Sequence, residues 1–279
     1  MVRNHAPTWQ RRAGGTSEHR RAQRETPSHI WGIGLSEMKG TSEFDALGGC
    51  VTGDVYNPLD KLNLARSIEF ELLTRQPGPL SSVDHIPGAG VYVIYYSGNL
   101  PIYAPIAAGN KDGVFQRPIY VGKAIPKGGR KGGLRKDSAT VGNALASRLR
   151  QHAASIDEST NLDLADFFVR HLVVDDIWIP LGENMLIETF KPVWNRAIDG
   201  FGNKDPGRRR ATQYKSPWDV LHPGRGFANK LADSTLTPIF LTTRVEDYIA
   251  GRPLAKLPKF IIEQQAEADA EAQLSVDET

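Results

Sequence analysis

The middle of this sequence carries a guanidinium, an imidazole and a carboxylate whose types and spacing suit chemistry on a phosphate. Arg148 and His152 are four residues apart in a predicted helix, which puts both side chains on one face, where they can meet a common ligand. A guanidinium is forked and permanently charged, which suits phosphate. Glu183 lies near the start of a later predicted helix. One carboxylate, together with waters and phosphate oxygens, is a usual way of binding Mg²⁺.

Each of these candidates also has an ordinary structural explanation. The helical Arg/His pair fits a basic helix surface, and Glu183 fits the acid that the helix dipole favours at an N-terminus. Tyr92 and Tyr120 lie within strand-like runs, where a tyrosine usually belongs to the core. Asn195 follows "KPVW" and fits a turn. Taken singly, none of these residues decides the function.

The segment "PIYVGKA" at residues 118–124 invites comparison with a nucleotide phosphate loop, because Gly122 is followed by Lys123. That motif needs a glycine five residues before Gly122 and a serine or threonine after the lysine. Arg117 and Ala124 occupy those positions. The motif fails twice, so we exclude nucleotide hydrolysis by a phosphate loop.

Two runs of positive charge flank the candidate residues. Residues 117–152 contain nine Lys/Arg and one acid, and residues 196–230 contain eight Lys/Arg and three acids. A single basic run is usually a solvated face, but two glycine- and proline-rich runs around one short core favour nucleic-acid binding. The candidate DNA contacts are the cations of these runs: Lys123, Lys127, Arg130, Lys131, Arg208, Arg209, Arg210, Lys215 and Arg225.

Hydrophobic periodicity assigns these residues to a few elements. It predicts helices over residues 58–75, in "VGNALASRLRQHAASI" and in "LGENMLIETF", and strands in "GVYVIYY", "PIYVGK" and "DFFVRHLVV". The middle therefore reads strand, strand, helix, strand, helix. This order predicts an α+β fold, with a small sheet covered by helices, rather than a βαβ array.

Composition excludes several other classes of protein. The single cysteine, Cys50, can build neither a disulfide framework nor a cysteine zinc site, and it fits a reducing cytoplasm, where we expect the protein to act. No apolar run approaches the roughly 20 residues that a membrane helix needs. The arginine-rich N-terminus lacks the apolar core of a secretory signal.

The ends differ in composition from the middle. Residues 1–40 contain seven Lys/Arg and three Asp/Glu without an apolar period, which predicts a disordered basic tail, with weak DNA affinity as a second interpretation and Met38 as an alternative start. Acids without any Lys/Arg follow from Glu263. We expect a basic tail over 1–40, a helical arm over 41–87, the main domain over 88–230, an extension over 231–262 and an acidic disordered tail over 263–279.

The order of the candidate residues resembles the GIY-YIG nuclease family. "GVY" is followed by "YVG", by Arg148 on a helix, by Glu183 and by "PVWN", which ends in Asn195, and the resemblance covers about residues 88–196. Valine replaces the isoleucine of the family name in both motifs, which is conservative for strand packing. The resemblance implies a small three-stranded antiparallel sheet flanked by helices, here with N- and C-terminal extensions.

A long insert distinguishes this chain from the shortest members of that family. "SGNLPIYAPIAAGNKDGVFQR" separates the two tyrosine strands. With Arg148-x-x-x-His152 and the later "SPWDVLHPGR", it resembles a GIY-YIG type II restriction endonuclease that recognises a GC-rich palindrome. The resemblance implies hydrolysis of double-stranded DNA at such a site, for which CCGCGG is the best guess.

The resemblance also implies roles for the catalytic residues. Glu183 would hold one divalent cation per active site, most simply Mg²⁺, while Arg148 would bind the scissile phosphate and Lys123 would touch phosphate. Asn195 would hold the active-site backbone or orient Glu183, and both alternatives stay open.

Proton transfer is assigned to the aromatic residues. Tyr92 is implied as the general base, although free tyrosine has a pKa of about 10, so nearby cations must favour its phenolate or relay its proton. Tyr120 would position the water or the phosphate. His152 would share the proton transfer or bind phosphate, and the sequence does not choose between these roles.

Sequence recognition is expected from the insert, from "KGGRKGGLRK" and from residues 208–225, whose cations can contact guanine edges. A palindrome is most simply read by a two-fold homodimer. The helix over residues 58–75 is a dimer contact, an arm around DNA or ordinary core. A cognate DNA methyltransferase is expected in the same system, without stable binding.

Two alternatives have different sequence expectations. A repair or homing endonuclease of the same family would carry further interaction domains or a long DNA-binding extension, and neither is evident in residues 196–279. A non-catalytic DNA-binding module would have lost polar residues from its site, whereas all the expected ones are present.

Overall fold

The sheet at the centre of the fold has four strands: β1 (Gly78–Pro79), β2 (Gly90–Tyr96), β3 (Pro118–Ala124) and β4 (Phe167–Val173). Every pairing is antiparallel, and the spatial order β1–β4–β2–β3 makes β2 a central strand and β3 an edge strand. The computed structural model describes residues 56–83, 85–125, 142–206 and 212–274, and these fall within one compact unit, Tyr56–Thr279.

The α+β prediction is confirmed, with one strand more than expected. β2, β3 and β4 coincide with the three predicted strands. The additional strand, β1, has only two residues and pairs with Phe168 and Val169 of β4. It escaped prediction because two residues show no alternation, and because Pro79 is tolerated only at a sheet edge, where its missing N–H is not needed.

Eight α-helices surround the sheet within the described part of the chain: α1 (Lys61–Thr74), α2 (Ala104–Ala108), α3 (Ala144–Asp157), α4 (Ile179–Phe190), α5 (Val193–Arg196), α6 (Pro217–Leu221), α7 (Pro238–Ile249) and α8 (Lys259–Leu274). α1, α3 and α4 are the three helices expected from periodicity. The side chain of Asp60 caps α1 by accepting a hydrogen bond from the N–H of Leu62.

The two faces of the sheet are covered by different helices. Side chains alternate across a strand, so Tyr92 and Ile94 of β2 point into one core, whereas Val91 and Val93 point into the other. Buried residues of α3, α5, α6 and α7 belong to the first core, and α1 and α4 close the second. Burial from both sides explains why β2 consists of glycine, β-branched and aromatic residues throughout.

α8 corrects the expectation of a disordered acidic tail, because residues 263–274 continue this helix. Alanine, glutamate and glutamine dominate the segment and are strong helix formers. Ile261 is 2% exposed and anchors the helix in the core. A run of acids thus indicated solvent exposure of one face without indicating disorder.

The predicted C-terminal extension contributes Leu236, Leu241 and Val245 to the same core as Tyr92. No helix in the described ranges is long and apolar enough to cross a membrane. The predicted basic tail over residues 1–40 and the end of the acidic tail over 275–279 lie outside the described residues.

Candidate active site

A tyrosine and a glycine on neighbouring strands fit together at the centre of the site. Tyr92 of β2 lies opposite Gly122 of β3 in the strand register. A Cβ atom on Gly122 would lie 2.5 Å from the Tyr92 hydroxyl oxygen, so only glycine leaves room for the tyrosine in its observed position. Tyr92 itself is fully buried. The glycine of the second motif therefore has a packing cause, which is the tyrosine of the first motif.

α3 brings His152 to the same tyrosine. The Tyr92 Oη and His152 Nε2 atoms are 2.7 Å apart, and both side chains are buried. Burial first, then the charges of Arg148 and Arg225, hold the pKa of His152 well below its usual value, so the imidazole is neutral at neutral pH. Burial also raises the pKa of Tyr92. A neutral imidazole has one nitrogen without a proton, so Nε2 can accept the hydrogen bond of the phenol.

Arg148 and Tyr120 lie beside the pair of Tyr92 and His152. Burial raises the pKa of Tyr120 to about 12, although the charge of Arg148 opposes the rise. The pKa of Arg148 is above its usual value. Burial alone would lower it, but the interactions of the guanidinium with the phenol groups of Tyr92 and Tyr120 outweigh the effect of burial. The guanidinium therefore keeps its positive charge. Its Nη2 donates a hydrogen bond of 2.9 Å to the carbonyl of Gly202.

Lys123 and Glu183 form an ion pair on the other face of β3. The Lys123 Nζ and Glu183 Oε2 atoms are 2.7 Å apart, and the side chains are 23% and 15% exposed. α4 reaches β3 because it packs closely at Gly182, where a Cβ atom would lie 3.0 Å from Ile68 Cγ2 and 3.3 Å from Val91 Cγ1. The small residue thus lets the next residue along α4 present its carboxylate beside the edge strand.

Asn195 clamps the backbone of the edge strand. Its Oδ1 accepts a hydrogen bond of 2.8 Å from the N–H of Val121, and its Nδ2 donates one of 2.9 Å to the carbonyl of the same residue. Val121 stands between Tyr120 and Gly122, so the clamp satisfies groups of an edge strand that have no neighbouring strand. Of the two roles left open by the sequence, the geometry is that of a backbone clamp.

The candidate residues converge on one cleft of about 1070 Å³, whose wall includes Tyr120, Lys123, Arg148, Glu183 and Asn195. His152 lines an adjoining cavity of about 290 Å³ that shares Arg148 with the cleft. Tyr92 is buried next to both. The site therefore has a charged wall that faces the cleft and a neutral Tyr–His pair behind it.

Glu183 is the candidate metal ligand. The described residues contain no group of three or more His, Cys, Asp and Glu that could hold a metal ion. A cation held by Glu183 would therefore complete most of its shell with waters and phosphate oxygens, as Mg²⁺ does. The ion pair with Lys123 shows that a positive charge already fits against Glu183 Oε2.

The predicted DNA contacts have different outcomes. Lys123 lines the cleft, whereas Lys215 pairs with Asp233 at 2.7 Å. Arg225 is a wrong prediction, because its side chain is 1% exposed and pairs with Asp219 in the interior. A buried guanidinium cannot reach a DNA phosphate. The remaining predicted contacts lie outside the described residues: Lys127, Arg130, Lys131, Arg208, Arg209 and Arg210.

The loop after α5 adds residues that the sequence did not single out. The ring of Phe201 stacks on His152, with centroids 4.4 Å apart and planes inclined by 19°. The neighbouring Gly202 accepts the hydrogen bond of Arg148. The only available signal was the pattern "GFGN", which fits an ordinary turn equally well.

A protein-family model described as RE_Eco29kI, the Eco29kI GIY-YIG domain, matches residues 84–249. This match covers more than half of the 279 residues and includes all elements from β2 to α7. It continues past residue 230, where the main domain was expected to end, and it leaves α8 outside. No curated protein matches the chain.

Proposed function

Because the chain belongs to the Eco29kI family of GIY-YIG restriction endonucleases, we propose that it is a type II site-specific deoxyribonuclease that uses one Mg²⁺ ion per active site. One observation carries this proposal beyond the family. The Arg148 guanidinium and the Glu183 carboxylate line one cleft, backed by the hydrogen bond between Tyr92 and His152. A DNA-binding module with a decayed site would not need to keep this set together.

Binding of the scissile phosphate is assigned to Arg148. Its charge is partly buried among two phenols, so its interaction with phosphate is screened less than at an open surface. Its Nη2 is already fixed by the carbonyl of Gly202. The guanidinium is therefore oriented before DNA arrives, which is what electrostatic stabilisation of a transition state requires.

Proton removal from the attacking water is assigned to the Tyr92–His152 pair. As the water gives a proton to the Tyr92 oxygen, the phenolic proton passes along the 2.7 Å hydrogen bond to His152 Nε2. The step needs a neutral imidazole, which burial provides. Tyr92 is covered in this structure, so the proposal requires its hydroxyl to gain contact with water when DNA enters the cleft.

Glu183 would hold the divalent cation, which when bound withdraws charge from the phosphate and the leaving oxygen. A lone carboxylate on this wall would repel DNA, and Lys123 offsets that repulsion at 2.7 Å. Lys123 is also on the cleft wall, where its ammonium can approach phosphate. Asn195 would keep the strand between Tyr120 and Gly122 in register with this pair.

We further propose a GC-rich palindrome as the recognition site, with CCGCGG as the best guess. The support is the resemblance of the insert between β2 and β3 to that branch of the family. The insert is an ordered element, because Asn110 Nδ2 donates hydrogen bonds to the carbonyls of Tyr96 and Arg117 and so ties its two ends together. Ordered loops are suitable carriers of side chains that read bases.

A homodimer is proposed for reading the palindrome. The region of α1 supports a homodimer, because it exposes large apolar side chains that a partner subunit could cover. Phe70 on α1 is 71% exposed, and Leu59, which precedes α1, is 75% exposed. The corresponding biological setting would be a cytoplasmic restriction–modification system, with a methyltransferase that protects the same sequence and forms no stable complex with this chain.

Digestion of a sequenced plasmid with Mg²⁺, followed by mapping of the fragment ends, tests this function. Discrete fragments whose ends share one palindromic sequence are the expected result. Random nicking would contradict a site-specific enzyme, and uncut plasmid at all sequences tested would contradict catalysis.

A further inference from the structure

A buried arginine outside the assigned active site holds the loop on which that site rests. Arg225 is 1% exposed and its Nε donates a hydrogen bond of 2.7 Å to Asp219 Oδ1. The other carboxylate oxygen of Asp219 accepts a hydrogen bond of 2.6 Å from Ser216 Oγ. The guanidinium lies between the rings of Trp218 and Phe227, at 4.6 and 4.7 Å from their centroids. Its position is therefore fixed on all these sides.

The remaining nitrogens of Arg225 hold the loop Gly200–Asn203, which follows α5. Nη2 donates to the carbonyl of Gly200 at 2.9 Å, and Nη1 donates to that of Phe201 at 3.0 Å. The loop is pressed against the same cluster, since a Cβ atom on Gly200 would lie 2.1 Å from Ser216 Oγ. Gly200 also has a φ of 112°, which favours glycine.

The opposite side of this loop touches three residues of the proposed mechanism. The carbonyl of Gly202 accepts the hydrogen bond of Arg148, and the Phe201 ring stacks on His152. The same ring meets Tyr120 edge-on, with centroids 4.9 Å apart. A Cβ atom on Gly202 would lie only 3.0 Å from the Tyr120 hydroxyl, so the loop and the site are in close contact.

We propose that Arg225 is a positioning residue for DNA cleavage, which orients Arg148 and His152 through the loop Gly200–Asn203. This inference rests on the proposed nuclease function. A buried ion pair is weak evidence for stability, because the cost of desolvation offsets its attraction. A planar guanidinium that donates hydrogen bonds to two carbonyls and a carboxylate does, however, fix the positions of these groups relative to one another. Lysine cannot make these contacts at the same time, since its ammonium is a single point of charge.

The test compares Arg225→Lys with wild type in turnover and DNA binding. This substitution keeps the positive charge that neutralises Asp219 and removes the forked guanidinium. We expect kcat to fall by about 10- to 100-fold, as for a small misplacement of catalytic groups, while KM and the Kd for DNA stay within about twofold. Arg170→Lys is the matched control, because Arg170 also donates to two backbone carbonyls and stacks on a tyrosine, but away from the cleft.

A kcat of Arg225→Lys equal to wild type, or an equal loss in Arg170→Lys, would overturn the inference. If Arg225→Lys does not fold, Ser216→Ala takes its place, since it removes only the hydroxyl that holds Asp219, and an unchanged kcat would then overturn it. Failure of the proposed function is a separate outcome, because wild-type protein would then leave DNA uncut.

Discussion

The hydroxyl of Tyr92 lies 2.7 Å from His152 Nε2, and both side chains are buried. Burial moves the two pKa values apart, up for the phenol and down for the imidazole, so both groups are neutral at neutral pH. Neither member of the pair therefore carries a charge in this structure. The fixed charge of the site is left to Arg148, Lys123 and Glu183 on the cleft wall.

Tyr92→Phe removes the hydroxyl and keeps the ring. We expect single-turnover cleavage to slow by about 100-fold or more, the usual size of a general acid–base contribution, with unchanged DNA binding. Tyr103→Phe is the control, because the Tyr103 hydroxyl also lies 2.7 Å from a buried imidazole, that of His222, outside the cleft. It should lose stability and keep its rate. Equal rates for Tyr92→Phe and wild type would remove Tyr92 from the mechanism.

Gly122→Ala places a methyl group 2.5 Å from the Tyr92 hydroxyl. The tyrosine or the strand must shift, which we expect to lower the free energy of unfolding by about 1–3 kcal/mol and to reduce cleavage strongly. Gly78→Ala is the control, since its added methyl group meets nothing within 4 Å. Urea unfolding and a cleavage assay measure both effects. A Gly122→Ala enzyme as active as Gly78→Ala would show that the close approach is not needed.

Stability should fall with acidification because of two buried histidines. Burial, with Arg225, lowers the pKa of His222 to about 3, and the pKa of His152 is lowered as well. The unfolded chain takes up protons below pH of about 6.5 while the folded chain does not, so each histidine removes about 1.4 kcal/mol per pH unit below that value. Above it, the imidazoles are neutral in both states, and the two histidines leave the stability independent of pH.

Denaturant unfolding between pH 7.5 and 5 measures this slope. Asp199 opposes part of it, because burial raises its pKa to about 6. The difference between wild type and His222→Gln isolates one histidine, and the variant should have the shallower slope. Parallel curves for the two proteins would contradict the buried, neutral state of His222.

α8 places a carboxylate at the cleft that is proposed to receive DNA. Asp269 lines this cleft together with Lys123. The pKa of Asp199 is raised first by the burial of Asp199 itself and then by the negative charge of Asp269. Asp269→Asn should bind DNA about two- to fivefold more tightly at low salt, the size expected for one partly exposed charge. Glu263→Gln is the control, since Glu263 pairs with Lys259 on the exposed side of α8. If both variants bound DNA more tightly to the same extent, the change in affinity would come from net charge alone and not from the position of Asp269 at the cleft.

The elements that carry the site were predictable from local pattern. Tyr92 and Tyr120 lie in β-branched and aromatic runs that form strands in almost any context, and Glu183 lies on a helix that ends before Pro192. The order of these elements was enough to indicate the family. Local pattern sufficed because each of these residues takes its position from its own strand or helix.

Contacts between distant segments were not predictable from the same pattern. Arg225 was assigned to DNA because a charge count records the type of a residue and not its partner, whereas Asp219 and two loop carbonyls bury it. Phe201 stacks on His152 across about fifty residues of sequence, and no periodicity links them. α8 was not predictable from its acids, because a run of acids is equally typical of a disordered tail, whereas Ile261 anchors the helix in the core.

Cleavage of a sequenced plasmid by wild type and by Glu183→Ala, with Mg²⁺ and with EDTA, tests whether this cleft is the active site. Wild type should give discrete fragments in Mg²⁺ and none in EDTA, and Glu183→Ala should give none although it still binds the DNA in a gel-shift assay. Arg148→Ala should be equally inactive. Full cleavage by Glu183→Ala would contradict the assignment of this cleft as the active site.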